Sequence, residues 1–355
     1  MTERERVLKA LRREKPDKVP RELSFGGFTP ALMEVFKEKT GADDPAEYFN
    51  FEVRSLSFKI PEGREQFLKY YSDLPEGARI DEWGTAKVKG SMYHYEHFLY
   101  PMEKFESVYE IEDYPFPNFM APENHSHFES EVKKYHDRNL AVMGELTTTI
   151  FEVAWGMRGM ENLLTDFILN PELAEALLDK VFNLRLQQAK RYATVGVDII
   201  RFGDDIGQQT GLIMSPETWR KWIKPRFAAL ISAVKDIKPD ILIFNHCDGD
   251  ATLLIPEFIE IGVEILNPVQ PECMDPVKIK KEYGDKLSFW GTIGTQTTMP
   301  FGTPEEVKKV VKERIETVGE GGGLLLAPTH ILEPEVPWEN VLAFFEAIEE
   351  FGYYS

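Results

Sequence analysis

The chain has 355 residues, of which 43% are hydrophobic and 28% charged, and its formal net charge is −19. This length suits a large α/β core, whereas the acidic excess argues against a nucleic-acid or anionic-membrane partner, since phosphate binding needs clustered Lys and Arg. The two cysteines cannot form a disulfide framework, and no apolar run approaches the roughly 20 residues of a membrane span. We therefore expect a cytoplasmic protein.

Predicted helices and strands alternate along the chain. The opening MTERERVLKAL reads as a helix with a Thr2–Glu5 capping box rather than as a signal peptide. Short apolar runs predict strands at 19–25, 139–146, 197–205, 240–248, 263–270, 286–294 and 322–330, with a weaker candidate at 78–89. Amphipathic stretches predict helices between them, for example at 171–196, 215–237 and 303–319.

Strands that alternate with helices indicate a parallel sheet, and about eight strands in this length predict an α/β fold of the (β/α)8 TIM barrel type. A doubly wound sheet is the alternative, but GGF at 26–28 lacks the GxGxxG spacing of its phosphate turn. We expect residues 1–355 to form a single domain. The aromatic-rich region of about 43–138 is interpreted as inserted loops and helices over the C-terminal mouth of the barrel.

Polar residues follow the later predicted strands, at the face where TIM barrels carry their active sites. The neighbouring carboxylates Asp204 and Asp205 repel each other, which favours a functional role over a structural one. Asp250 is instead expected to cap the helix that follows it. The other polar residues at these strand ends are Glu145, Asn245, His246, Asp248, Asn267, Gln270 and His330.

Several segments together resemble the uroporphyrinogen decarboxylase superfamily, which includes the decarboxylase and cobalamin-dependent methyltransferases. They are MTERERVLKALRREKPDKVP, FEVAWGMRGMENLLTDFILNPEL, FGDDIGQQTGLIMSPETWRKWIKPRF, FNHCDGDATLLIPEFIEIGVEILNPVQPECMD, GTIGTQTTMPFGTPEEV and GGGLLLAPTHILEPEVPWENVLAFFEA. The resemblance covers nearly the whole chain and implies a (β/α)8 barrel. It is much less specific for one activity.

The decarboxylase branch carries an arginine-containing segment after its first strand that grips the carboxylates of a tetrapyrrole. The matching stretch here is PRELSFGGFTPAL, in which Arg21 is the only basic residue. A substrate with eight carboxylates needs several Arg or Lys side chains, so this departure argues against true uroporphyrinogen decarboxylation.

The methyltransferase branch binds zinc through an H-x-C motif and a later cysteine. The matching register places His246 on the histidine, Asp248 on the first cysteine and His330 on the second. The resemblance thus implies a metal site of His246, Asp248 and His330, with Cys247 as a ligand if the register slips by one residue. Such a donor set suits Zn²⁺ or Fe²⁺, and its hard N and O donors favour an oxygen over a thiolate.

The leading hypothesis is a methyltransferase that transfers a methyl group from a small methylated substrate, for example a methoxyaromatic compound, to a corrinoid on a separate partner protein. Asp204, Asp205 or Glu145 would handle the proton. Asn267, Gln270, Phe25, Trp83 and Trp155 would bind the substrate. Other aromatic and histidine side chains expected near the mouth are Phe28, Tyr93, His94, Tyr95, His97, Phe151 and Trp290.

Two alternatives remain open at this stage. One is a metal-free decarboxylase or lyase in which Asp204 or Asp205 protonates a carbanion. The other is a non-catalytic subunit that binds a corrinoid or tetrapyrrole. A homodimer is also open.

Overall fold

The computed structural model describes residues 1–90 and 96–354. Its helices, α1 to α15, are Glu3–Leu11, Pro30–Thr40, Pro45–Tyr48, Val108–Asp113, Phe128–Asp137, Phe151–Arg158, Met160–Leu169, Pro171–Val195, Pro216–Trp222, Lys224–Ile237, Ile255–Glu260, Pro276–Tyr283, Thr298–Phe301, Pro304–Thr317 and Trp338–Phe351. Its strands, β1 to β12, are Val53–Leu56, Arg79–Ile80, Ala86–Lys89, Glu96–Leu99, Ala141–Thr147, Ile199–Gly203, Gly207–Gln208, Gly211–Leu212, Leu242–His246, Ile265–Asn267, Ser288–Ile293 and Leu324–Pro328.

A parallel sheet with the strand order β1-β5-β6-β9-β10-β11-β12 forms the centre of the fold. The segment around Arg21 makes a parallel bridge to Leu326 of β12, where the Leu326 N–H donates to Pro20 and the Glu22 N–H donates to Leu326. This segment takes an eighth position beside β12. Together with the alternating helices it gives the predicted (β/α)8 TIM barrel.

Six of the predicted strands contain strands of the main sheet, namely β5, β6, β9, β10, β11 and β12. The prediction at 19–25 was too long, because the chain makes only a bridge there and then turns through a 3-10 helix at Ser24–Gly26. The weaker candidate at 78–89 was wrong as a barrel strand. It forms β2 and β3 of a separate antiparallel sheet with β4.

Inward-facing side chains from every second position fill the barrel with a small apolar cluster. Val7 and Leu11 of α1 pack against this cluster. Its strand members are Val53, Ala141, Met143, Ile199, Leu242, Phe244, Ile265, Trp290, Leu325 and Ala327. Alternate residues point outwards instead and join the larger core under the surrounding helices.

The long amphipathic stretches form helices as predicted. The first becomes α8, the second is divided at Ile223 into α9 and α10, and the third becomes α14 with a capping box at Thr303. The Thr2 capping box of α1 is also present. No helix in the described parts of the chain is both long and apolar enough to span a membrane.

The region of about 43–138 is not wholly an insertion. β1 lies inside it and pairs with β5, so Val53–Leu56 belong to the barrel sheet. The small sheet β2-β3-β4 and helices α4 and α5 make up much of the remainder. Its expected position over the mouth stays a prediction.

Candidate functional site

The strand register brings polar residues together at the carboxyl ends of four neighbouring strands. Thr147 is the register partner of Gly203, Gly203 of His246, and His246 of Asn267. Gly203 is required in this row, because a Cβ at this position would lie 2.5 Å from the Cβ of His246. The side chain of His246 can therefore sit against the end of β6.

The hydrogen bonds of Asn267 fix the orientation of His246. The Asn267 amide donates from Nδ2 to the Trp290 carbonyl at 2.7 Å, so its Oδ1 faces His246 Nδ1 at 2.5 Å. Since Oδ1 can only accept, Nδ1 donates its proton to it, and Nε2 is the ring nitrogen that faces the rest of the site. This arrangement, in which the second ring nitrogen is held by a buried partner, is the usual setting of a metal-binding histidine.

Two carboxylates lie beside that nitrogen. His246 Nε2 is 3.7 Å from Asp205 Oδ1 and 3.8 Å from Asp248 Oδ1. The Asp248 N–H donates to Asp205 Oδ1 at 2.8 Å and thereby holds Asp205 in place. Ligand atoms of the three residues all lie within 4.8 Å of one another, so this cluster has the composition and spacing of a metal site.

Negative charge accumulates at this cluster. Burial, followed by the neighbouring Asp205, raises the pKa of Asp248, while His246 lowers it in part. Burial also raises the pKa of Glu152 well above its ordinary value, and Asp205 and Asp204 raise it further. Glu152 accepts a hydrogen bond from the Asp205 N–H at 3.1 Å. A bound cation would relieve this repulsion.

Sequence reasoning did not single out Glu152. The only local signal is one acidic residue in the otherwise apolar start of FEVAWGM, directly after the β5 loop. Acidic residues are common in the first turn of a helix, so that signal alone favoured a structural role.

The rings of His330 and Phe25 also lie close to His246. The His246 and His330 ring centroids are 6.4 Å apart, and the Phe25 ring lies 5.0 Å from both. Phe25 has a left-handed backbone with φ 53°, a costly conformation for a bulky residue that clusters at functional sites. His330 is an exposed residue, although the protein around its ring lowers its pKa while Asp248 raises it in part.

The adjacent Asp204 and Asp205 have different surroundings. The Asp204 carboxylate accepts backbone N–H bonds from Ile150, Phe151 and Glu152 at the start of α6. Burial nevertheless raises its pKa to about 6. Asp204 therefore holds α6 against β6, whereas Asp205 faces His246.

Glu145 belongs to a buried network below the site. Arg201 lies between Glu145, at 3.3 Å, and Glu22, at 3.8 Å, and its guanidinium packs against the rings of Phe25 and Phe244. Burial raises the pKa of Glu22 to about 7. Glu145 thus has a permanent cationic partner, unlike the carboxylates around His246.

A small cavity of about 150 Å³ lies next to Glu152. Trp83 and Trp155 line it, together with Phe98, which packs edge-on against Trp155 at 5.4 Å. The buried Arg185 guanidinium covers the Trp83 ring at 4.9 Å. Trp83 and Trp155, which were predicted to bind substrate, therefore line a cavity that Glu152 connects to the site.

A larger cavity of about 780 Å³ lies on the His330 side. Asp248 and His330 both line it, as do Gln270 and Gly249. Gly249 has φ 76°, and a Cβ there would lie 2.6 Å from the Gln208 carbonyl, so only glycine lets this turn pack closely. The candidate metal cluster and the cavity thus share Asp248.

The remaining predicted residues are dispersed. Phe28, Phe151 and Trp290 are buried core side chains rather than mouth residues. Cys247 is buried, its Sγ accepts the Ile206 N–H, and burial raises its pKa. Tyr93, His94 and Tyr95 lie outside the described residues, and His97 is an exposed residue of β4. Asp250 accepts the Thr252 N–H, but Ala251 is the N-cap of the 3-10 helix Thr252–Leu254 and Leu254 that of α11, so its expected role as the helix cap was wrong.

The fold and the site together define the class of the protein. It is a parallel α/β barrel in which carboxylates at the strand ends lie around a histidine of fixed orientation. The family model for uroporphyrinogen decarboxylase (URO-D) matches residues 124–351, and the chain belongs to this family. The solved structure of a methyltransferase from Methanosarcina mazei shares the fold, with a TM-score of 0.68 and 20% identity over 99% of both chains.

The sequence relatives include methyltransferases and decarboxylases. A methylated-thiol–coenzyme M methyltransferase of Methanosarcina mazei is 26% identical over 62% of this chain and 56% of its own length. A methylcobamide:CoM methyltransferase of Methanosarcina barkeri is 26% identical over 55% of the chain and 57% of its length. A uroporphyrinogen decarboxylase of Pseudomonas putida is 23% identical over 51% and 49%. The chain thus spans only about half the length of these relatives.

Proposed function

We propose that the protein is a metal-dependent methyltransferase that moves a methyl group from a small methylated compound to a corrinoid on a separate protein. The observation that carries this proposal is the orientation of His246, whose Nδ1 is held by Asn267 and whose Nε2 lies 3.7 Å from Asp205 and 3.8 Å from Asp248. The names of two relatives add support, since they pair methyl transfer with coenzyme M and one of them with a methylcobamide.

The residues present fit a divalent metal. One imidazole nitrogen and two carboxylate oxygens within 4.8 Å suit Zn²⁺, with Fe²⁺ as the alternative. We propose His246 and Asp248 as ligands, and Asp205 or His330 as the third. When bound, the metal would supply Lewis-acid polarisation of a substrate oxygen. The hard donor set supports an ether oxygen, and the aromatic side chains of Phe25, Trp83 and Trp155 support a methoxyaromatic substrate.

The other residues take roles that follow from their contacts. Asn267 was predicted to orient substrate, but its buried amide bonds to His246 and to the Trp290 carbonyl, and we propose that it positions His246 instead. Asp204 and Glu145 are held by α6 and by Arg201. If His330 is the third metal ligand, Asp205 stays available to transfer the proton. It is the one of the three predicted carboxylates that lies beside His246.

The corrinoid partner is proposed from the relatives and from the earlier resemblance. A homodimer, a single domain over residues 1–355 and a cytoplasmic location stay predictions of the sequence.

The test is metal content by mass spectrometry on protein purified without a histidine tag. About one zinc per chain is expected for the wild type, and His246→Ala should lose it. Comparing Asp205→Asn with His330→Ala identifies the third ligand, because only loss of a ligand should release the metal. His127→Ala is the control, since this histidine contacts the Ser57 carbonyl away from the site.

Methyl transfer from methoxyaromatics to a Co(I) corrinoid is then measured on the zinc-loaded protein. A protein that takes up no metal even when zinc is supplied would overturn the metal site. Turnover of a carboxylated substrate by such metal-free protein would favour the decarboxylase or lyase alternative.

A further inference from the structure

Two cavities border the candidate metal cluster, and they differ in size and lining. The cavity of about 780 Å³ reaches the cluster through Asp248 and is lined mostly by amide, hydroxyl and acidic side chains. The cavity of about 150 Å³ reaches it through Glu152, whose carboxylate accepts the Asp205 N–H. An apolar cavity of about 150 Å³ is large enough to hold a benzene ring. The smaller cavity therefore has the size of one aromatic ring.

Aromatic side chains that are held in place form the walls of the smaller cavity. Trp83, Phe98 and Trp155 line it, and the Phe98 and Trp155 rings meet at 62° with their centroids 5.4 Å apart. Trp83 is only 5% exposed, and its carbonyl accepts the Tyr114 hydroxyl at 2.7 Å. The Arg185 guanidinium covers the Trp83 ring at 4.9 Å. Because these walls are already ordered, a flat ring can pack against them at little entropic cost.

The polar groups in this lining are engaged within the protein. Thr85 Oγ1 donates to the Gly156 carbonyl and Thr148 Oγ1 donates to the Thr147 carbonyl, both at 2.6 Å. Asp81 Oδ1 accepts two backbone N–H groups, at 2.9 and 3.0 Å. An apolar ring can therefore enter the cavity without breaking the hydrogen bonds of these groups.

Gly156 sets the free volume of the smaller cavity. It lies inside α6, where glycine lowers helix stability relative to alanine. A Cβ at Gly156 would meet Thr85 Oγ1 at 3.7 Å, an ordinary van der Waals contact, whereas a Cβ at Gly144 or Gly203 would lie within 2.6 Å of a neighbouring side chain. Packing among the described residues therefore does not require glycine at position 156. What this glycine provides is open space beside the aromatic walls.

We infer that the cavity of about 150 Å³ holds the aromatic ring of the methylated substrate and that Gly156 determines how large a ring it accepts. The inference rests on the proposed function, because it specifies where the substrate of that site binds. The ring would pack against Trp83 and Trp155, and its methoxy group would lie on the Glu152 side, towards Asp205.

The experiment is isothermal titration calorimetry with para-methoxyphenol, a methyl ether of one ring that is uncharged near neutral pH. The protein is supplied with zinc before the titration. Gly156→Ala adds one methyl group to the cavity and should weaken binding about tenfold, and Gly156→Val should weaken it further. Gly156→Ala should keep its zinc content and should not unfold at a lower temperature than the wild type, since alanine is the better helix former. Failure of the wild type to bind para-methoxyphenol, or equal binding by the wild type and both glycine variants, would overturn the inference.

Phe301→Ala is the control for the larger cavity. Phe301 lines that cavity and is 75% exposed, so its removal should not disturb the fold. The variant should bind para-methoxyphenol as tightly as the wild type does. Weaker binding by Phe301→Ala, with normal binding by Gly156→Val, would place the ring in the larger cavity and refute the inference.

The outcomes for the inference and for the proposed function can be told apart, because the titrations need neither turnover nor a corrinoid. Binding that depends on Gly156, without methyl transfer to a Co(I) corrinoid, would refute the proposed function alone. Methyl transfer from a donor without a ring, such as methanol, together with no binding of para-methoxyphenol, would refute the inference alone.

Discussion

Two clusters of acidic side chains lie towards the carboxyl end of the barrel, and only one of them contains a permanent cation. Inside the barrel, Arg201 separates Glu22 from Glu145. At the mouth, Asp205 and Asp248 lie beside His246, which Asn267 holds in place. The first cluster contains the permanent charge of Arg201, whereas no Lys or Arg of the described residues forms a salt bridge with Asp205 or Asp248 in the second. This difference distinguishes a structural ion network from a candidate metal site.

Removing the cation from the inner cluster should have the largest effect. Arg201→Met leaves Glu22 and Glu145 buried without their partner, and we expect it to lower the free energy of unfolding by about 3–5 kcal/mol. Chemical denaturation measures this loss. The control is Arg138→Met, which breaks an exposed ion pair with Glu47 and should cost less than about 1 kcal/mol. Similar losses in the two variants would mean that the inner network is not needed for stability.

The inner cluster should also make stability depend on pH. Burial raises the pKa of Glu22 from its ordinary value of 4.5 to about 7, so the folded state binds a proton that the unfolded state releases. Stability from this group is therefore present below about pH 4.5 and is lost as the pH rises through about 7. Glu22→Gln should flatten this decline by on the order of 2–3 kcal/mol, measured by urea unfolding at several pH values.

Glu47→Gln is the control for the pH series. Hydrogen bonds from Arg138 and Arg54 lower the pKa of Glu47 to about 2, so its contribution is lost only in acid, as the pH falls from about 4.5 through about 2. This variant should leave the decline near neutral pH unchanged. If Glu22→Gln behaves in the same way as Glu47→Gln, then Glu22 does not retain its proton in the folded protein.

At the mouth, the hydrogen bond from His246 to Asn267 should govern metal affinity. Asn267→Leu removes the acceptor that fixes Nδ1, and zinc affinity should fall about 10- to 100-fold in a chelator competition assay. Asn267→Asp retains an acceptor oxygen and should preserve binding. Asn340→Leu, at another buried asparagine whose amide bonds to the Met299 and Gly302 carbonyls, should lower stability without changing zinc affinity.

The smallest effects should separate the two adjacent aspartates. Asp204→Asn removes the negative charge of a carboxylate that accepts hydrogen bonds from three N–H groups at the start of α6. It should cost about 1–2 kcal/mol of stability, with zinc content unchanged. Asp205→Asn can still accept the Asp248 N–H, and in zinc-free protein it should leave stability unchanged or raise it by up to about 1 kcal/mol. If Asp205→Asn destabilises the zinc-free protein, then a positive charge of the protein already compensates the carboxylates at the mouth.

The sequence failed to predict the barrel strand β1 for a physical reason. β1 has only four residues and contains Arg54, so it lacks an apolar run. Its buried guanidinium is accommodated because it donates to the Phe51 and Val53 carbonyls and pairs with Glu47. Those partners depend on local folding around the strand, which no pattern of apolar residues records. The 78–89 segment was wrongly assigned to the barrel, because its alternating apolar and polar residues suit a strand of any half-buried sheet.

The sequence by itself determined the barrel and the set of polar residues at its carboxyl end. Long apolar strands between amphipathic helices are typical of a parallel sheet that helices cover, and parallel strands bring their carboxyl ends to one face. The tertiary structure alone decided the roles within that set. It assigned Asp204 to α6 and Asp205 to His246, brought Glu152 next to them, and turned Asn267 towards the imidazole. These assignments depend on distances of a few ångströms between segments far apart in the chain, which spacing along the sequence cannot encode.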